Sequence, residues 1–201
     1  MRFLLLFCCI AVLSGCSMMG GPVATTPITT YTITRWPETV EKPVQSTSKS
    51  TLLVTTPIAA PGYETSAMLY MKIPYQLKTY AENRWVSPPA DLLLPLLANR
   101  IRLMHIYRAV VTPPFSGQAT YQLNTQLLAL QQEFMQPVSQ VRLRVSATLI
   151  QIATGEVVAS RVFESVQPAA DNNPYSGVLA TNKAANQIAE QLARFMSAQK
   201  K

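Results

Sequence analysis

Polar and apolar residues alternate most regularly in the C-terminal third of the chain. Val141, Leu143, Val145, Ala147 and Leu149 share one side of an extended segment, and Arg142, Arg144, Ser146 and Thr148 share the other. The run 141–152, the turn Ala153-Thr154-Gly155-Glu156 and the returning run 157–166 predict an antiparallel hairpin. Period-two patterning also predicts strands over 28–34, 51–59, 66–72, 75–79, 107–112 and 120–130. The pair around Pro74 reads as a second hairpin, and Pro57 confines its own strand to an edge or an end. Helical spacing appears twice. Leu93, Leu97, Ile101 and Met104 form one stripe, with Asp91 as its expected N-cap and Pro95 expected in the first turn or at the helix start. Ala185, Ile188, Leu192 and Phe195 form another stripe within a closing helix over 178–196, preceded by a loop over 167–176. The expected fold class is α+β: a single domain with a mostly antiparallel or mixed sheet and two amphipathic helices packed on it.

The first fifteen residues follow a different pattern. Met1-Arg2 is followed by eleven apolar residues, Phe3 to Leu13. A spanning helix needs about 20 residues, so this run reads as a signal-peptide core. It ends in Leu13-Ser14-Gly15-Cys16, which resembles the bacterial lipobox. Small residues at 14 and 15 fit a signal peptidase, and the Cys16 thiol is the atom that takes the lipid. The expected organisation is a signal peptide over 1–15, a lipid-anchored tether over 16–27 and one α+β domain over 28–198. Ser17, where an Asp would favour inner-membrane retention, points to the outer membrane and its periplasmic face.

Composition narrows the chemistry. Cys8 and Cys9 leave with the signal, so the mature chain keeps Cys16 alone and forms no internal disulfide. The chain has one histidine, His105, and Asp only at 91 and 171. That inventory argues against a His/Asp/Glu metal cluster and against a Ser-His-Asp hydrolase. Neither G-x-S-x-G nor a phosphate-binding glycine loop is present, so no catalytic residue, metal site or bound cofactor is expected beyond the diacylglycerol and N-acyl lipid on Cys16. The formal net charge is +7; loss of Arg2 leaves 16 basic against ten acidic residues, or +6. The surplus is scattered, and a periplasmic location argues against nucleic acid as the partner.

Several segments taken in order resemble one family. They are the lipobox, Tyr31-Thr32-Ile33, Met68-Leu69-Tyr70, Tyr80 with Asn83-Arg84-Trp85 and Pro88-Pro89, Tyr121-Gln122-Leu123, Thr154-Gly155-Glu156-Val157-Val158, and the last helix with Ala184, Ala185 and Leu192. Together they resemble the ABC-type transport auxiliary lipoproteins, which include the paraquat-inducible C-type lipoproteins. Pro95 and the Pro113-Pro114 loop depart from that pattern. The resemblance implies an accessory subunit rather than an enzyme. Its implied partners are a periplasmic protein with the mammalian-cell-entry (MCE) domain and the cognate ABC permease and ATPase, in a system moving lipids or hydrophobic compounds between membranes. It also leaves a homo-oligomer open. The same anchor would suit a second reading, an assembly or pilot lipoprotein escorting a secretin or barrel.

Tyr80, Arg84 and Trp85 lie in the most specific part of the match and, with Tyr70, are the candidate partner-binding residues. Each aromatic has a structural alternative. Trp85 can plug the sheet end, and the tyrosines can pack across strands.

Overall fold

The computed structural model describes residues 26–34, 46 and 48–199. Cys16, the signal segment and most of the expected tether lie outside them. Nine strands form one mixed sheet: β1 (Thr29–Tyr31), β2 (Thr51–Val54), β3 (Ile58–Ala59), β4 (Ala67–Met71), β5 (Leu77–Trp85), β6 (Ala109–Val111), β7 (Tyr121–Glu133), β8 (Gln140–Gln151) and β9 (Glu156–Pro168). Helix α1 (Pro89–Arg102) lies between β5 and β6, and α2 (Pro174–Ala198) closes the chain. Both helices pack on one face of the sheet, which is the expected α+β domain.

β7 is the axis of the sheet. Along one edge it pairs antiparallel with β8, which pairs in turn with β9. Along its other edge β2, β3 and β4 follow one another, all parallel to it. β6 adds outside β2, while β5 and then β1 add outside β4. The long ladders are therefore antiparallel and the short ones mostly parallel. The expected single strand over 51–59 is two strands, broken where buried Pro57 cannot donate to the ladder. Pro57 therefore lies at a strand end, as expected, between β2, which is flanked by β6 and β7, and β3, which pairs with β7.

The core follows from the alternation. Leu143, Val145, Ala147 and Leu149 of β8 meet Leu93, Leu97 and Ile101 of α1 and Ala185, Ile188 and Leu192 of α2, every one no more than 1% exposed. Burying each Val, Leu or Ile side chain among them stabilises the fold by about 1.5–3 kcal/mol. Met104, expected on the α1 stripe, lies past the helix end and is 37% exposed.

Two helix boundaries differ from expectation. α1 begins at Pro89, so Asp91 sits inside the first turn and favours the positive end of the helix dipole without capping it. Pro95 then falls within the helix on its exposed side, where the carbonyl of Asp91 that loses a partner can meet water. α2 begins at Pro174 rather than near 178. Asn173 caps it, its Oδ1 accepting from the Ser176 amide at 2.8 Å.

Candidate functional site

The register of β7 shifts between Leu127 and Ala129. Before the shift Leu123, Thr125 and Leu127 face the helices; after it Leu130 and Gln132 do, opposite Leu143 and Val141. Gln131 and Glu133 consequently reach the other face. This one irregularity creates two polar clusters, one on each side of the sheet.

On the helix side Gln132 is 3% exposed and fully engaged. Its Oε1 accepts from the Tyr80 hydroxyl at 2.9 Å. Its Nε2 donates to Ser139 Oγ at 2.9 Å and to the Asn173 carbonyl at 3.3 Å. Gln132 thus joins β5, the β7–β8 turn and the start of α2. Tyr80 also packs on Tyr70 in a tilted arrangement with ring centroids 4.6 Å apart, and Tyr70 meets Phe134 edge-on at 6.0 Å. The Lys72 ammonium lies 5.8 Å from the Tyr70 ring. Burial, with Tyr70 beside it, pushes the Tyr80 hydroxyl well above its ordinary value, so it acts as a hydrogen-bond donor.

Trp85 shares this region. β5 leaves its ladder with β4 between Thr79, opposite Leu69, and Arg84, opposite Ala67. In a regular strand residues five apart face opposite sides. Here the irregularity lets Tyr80 and Trp85 line the same small void with Met68, Leu130 and Gly177. Trp85 is 4% exposed and belongs to the core, so its indole packs against the fold rather than standing free for a partner. Arg84 points away and is exposed, while Tyr70 and Tyr80 are half-buried. Of the four candidate residues the structure brings the two tyrosines into contact, leaves Arg84 apart on the surface and buries Trp85.

On the opposite face Glu133 is 4% exposed. Its carboxylate accepts from Arg142 Nε at 2.7 Å and Nη2 at 3.1 Å, Gln140 Nε2 at 3.0 Å and Gln131 Nε2 at 3.0 Å. Arg142 also bridges to Glu164, and the Tyr63 hydroxyl donates to Gln131 Oε1 at 2.9 Å. Burial pushes the Glu133 carboxyl up, but the hydrogen bonds from Arg142, Gln140 and Gln131 outweigh it and hold it below the usual range. Pattern alone marks Arg142 as an outward charge; its partner Glu133 is seen only once the β7 shift is known.

The N-terminal segment is fastened by amide side chains. Asn182 Oδ1 accepts from the Thr34 amide at 2.8 Å, Asn182 Nδ2 donates to the Thr32 carbonyl at 3.2 Å, and Asn186 Nδ2 donates to the Thr34 carbonyl at 3.3 Å. These two asparagines, one turn apart on α2, stand in for a neighbouring strand.

Among the described residues no group of three or more His, Cys, Asp or Glu side chains could hold a metal ion. Among the same residues no helix is long and apolar enough to cross a membrane. The polar side chains of the two clusters hydrogen-bond chiefly to one another.

The family model described as ABC-type transport auxiliary lipoprotein component matches residues 31–193. A Xanthomonas campestris protein solved by crystallography and assigned to the family model DUF330 is similar over 85% of this chain and 95% of its own, at 20% identity and a TM-score of 0.74. A second crystal structure, of an uncharacterized protein, covers 85% of this chain and 99% of its own at 15% identity and a TM-score of 0.66. At such identities the likeness shows the fold. No curated protein matches the chain.

Proposed function

The chain belongs to the ABC-type transport auxiliary lipoprotein family, and from that premise we propose that it is a Cys16-anchored accessory subunit of an MCE-type intermembrane transport system, docking the periplasmic MCE component at the outer membrane. The observation that carries this reading is the family match over residues 31–193, nearly the whole described domain. A lipoprotein family places the protein in the cell envelope. The lipobox at 13–16 and Ser17 support anchoring to the outer membrane on its periplasmic side.

In this reading the protein catalyses nothing itself. Its ATP-consuming step belongs to the permease complex, and cargo of lipid or hydrophobic character passes through the MCE protein. The domain offers rigid surface. The exposed Arg84 lies on β5, whose half-buried Tyr80 is held by Gln132 and in turn packs against Tyr70. The proposed partner surface therefore centres on the exposed Arg84, with Trp85 behind it in the core and the Tyr70–Tyr80 pair as a separate, half-buried patch.

A detergent pull-down from native membranes, using a C-terminally tagged chain and mass spectrometry, tests the proposal. Recovery of an MCE-domain protein with its permease is the expected result. Recovery of a secretin or barrel instead supports the escort reading and overturns this one.

A further inference from the structure

We propose that the end of the sheet carrying the 72–76 and 134–139 turns rests on the lipid surface of the membrane that holds the protein; this rests on the Cys16 anchor proposed above. The two turns lie side by side. β4 ends at Met71 opposite Glu133, and the Phe134 amide donates to the Met71 carbonyl at 2.8 Å. The 169–173 loop is tied to the same end, the Ala169 amide donating to the Ser139 carbonyl at 2.8 Å and Asn172 Nδ2 to the Pro137 carbonyl at 3.1 Å.

These turns project apolar side chains into solvent. Tyr75 is 102% exposed, Ile73 59%, Val138 55% and Met135 41%. Tyr75 also holds a φ of 67°, a left-handed conformation that bulky residues rarely adopt. The turn keeps it there, closed by the Gln76 amide donating to the Ile73 carbonyl at 3.1 Å. Tyrosine with aliphatic neighbours is the composition favoured at a headgroup boundary, where a ring can sit half in the apolar region and keep its hydroxyl wet.

Charge complements an anionic bilayer. Lys72 and Lys78 flank the first turn and are exposed, and neither turn contains Asp or Glu. The nearest carboxylate in sequence, Glu133, is buried against Arg142. Asp171, in the adjoining loop, is the acid at this end. Lysines beside exposed apolar residues are attracted to acidic phospholipid headgroups.

The route of the chain selects this end over the other. β1 runs parallel to β5 with Thr29 opposite Asn83, so the chain enters from the side where β5 begins, beside the 72–76 turn. Asn83 lies six residues along the strand from Leu77, roughly 20 Å. Thirteen residue steps separate Cys16 from Thr29, a reach of up to about 43 Å when extended. The anchor can therefore sit in the bilayer with this end seated on it. The opposite end exposes Ile152 and Val157 at 44% and 56%, beside Glu156, and β1 runs toward it rather than from it.

The test uses full-length mature lipoprotein in vesicles of phosphatidylethanolamine and phosphatidylglycerol. Acylation consumes the Cys16 thiol, so Tyr75→Cys or Val138→Cys supplies a single site for an environment-sensitive fluorophore. Thr154→Cys labels the opposite turn as control. With brominated acyl chains in the bilayer, labels at 75 and 138 lose emission and shift to the blue, and the label at 154 does neither. Floating protein whose labels at 75 and 138 behave like that at 154 refutes this proposal alone. A label at 75 that responds to added MCE protein but never to brominated lipid also refutes it and assigns the turn to a protein contact. Protein that fails to float with the vesicles refutes the anchor and the proposal together.

Discussion

A Cβ on Gly177 would lie 2.2 Å from Oε1 of Gln132, the atom that accepts the Tyr80 hydroxyl. The first turns of α2 can approach β7 only because residue 177 has no side chain. In an ordinary helix interior, replacing glycine by alanine gains up to about 1 kcal/mol. Here the Gln132 amide would have to leave Tyr80, Ser139 and Asn173. Gly177→Ala is therefore expected to lower stability by about 1–3 kcal/mol, the range for breaking a buried hydrogen-bonding group away from its partners. Thermal melting checks this, and a Gly177→Ala/Gln132→Ala double variant should lose less than the two singles summed. A higher melting temperature for Gly177→Ala would show that Gln132 is free to move.

Glu133 makes stability depend on acidity in a definite direction. Its folded-state pKa is depressed, so its contribution is fully present above the unfolded value, about 4.3, and is lost as pH falls through the folded one. Glu133→Gln removes that dependence. Between pH 7 and pH 3 the wild type should lose more melting temperature than the variant, the remaining carboxylates acting on both alike. Parallel curves would contradict the assignment. Arg142→Met leaves the buried carboxylate without its cation and is expected to cost about 1–3 kcal/mol at pH 7.

Trp85 and Arg84 are neighbours with opposite expected phenotypes. Trp85→Ala empties a core position and should cost about 3–5 kcal/mol. Arg84→Ala, on the surface, should change stability by less than about 0.5 kcal/mol while weakening capture of the MCE partner. Equilibrium denaturation and the pull-down, run on both variants, separate folding from docking. Full partner recovery with Arg84→Ala would remove that residue from the docking surface.

Cys16→Ala blocks lipidation and should move the protein out of the membrane-anchored fraction. Phase partitioning in Triton X-114 with metabolic palmitate labelling reads both effects. A substituted protein that still takes up label would contradict the lipid site.

The parts of the fold legible in the sequence are those governed by neighbours along the chain. The β8–β9 hairpin is one, because unbroken alternation flanks Thr154-Gly155, and Gly155 does take a φ of 70°. The two apolar helix stripes are another. What stayed hidden depends on distant residues. The register shift after Leu127 turns an apparently simple strand into one that sends Gln132 and Glu133 to opposite faces, and only pairing with β8 reveals it. The start of α2 was masked because Asn173-Pro174 reads equally as loop or as cap followed by a first-turn proline. The irregular Tyr80–Asn83 stretch hid that Tyr80 and Trp85 share one side, and so which of the candidate site residues remain on the surface. Order within the sheet, with β2, β3 and β4 lined along one edge of β7, has no local signature at all.

Photo-cross-linking in intact cells tests the docking, with a benzophenone amino acid at position 84 and, as control, at position 154 in the β8–β9 turn. A covalent adduct between position 84 and the MCE-domain protein, absent from position 154, is expected. An adduct with a secretin or barrel protein, or equal labelling from both positions, would contradict it.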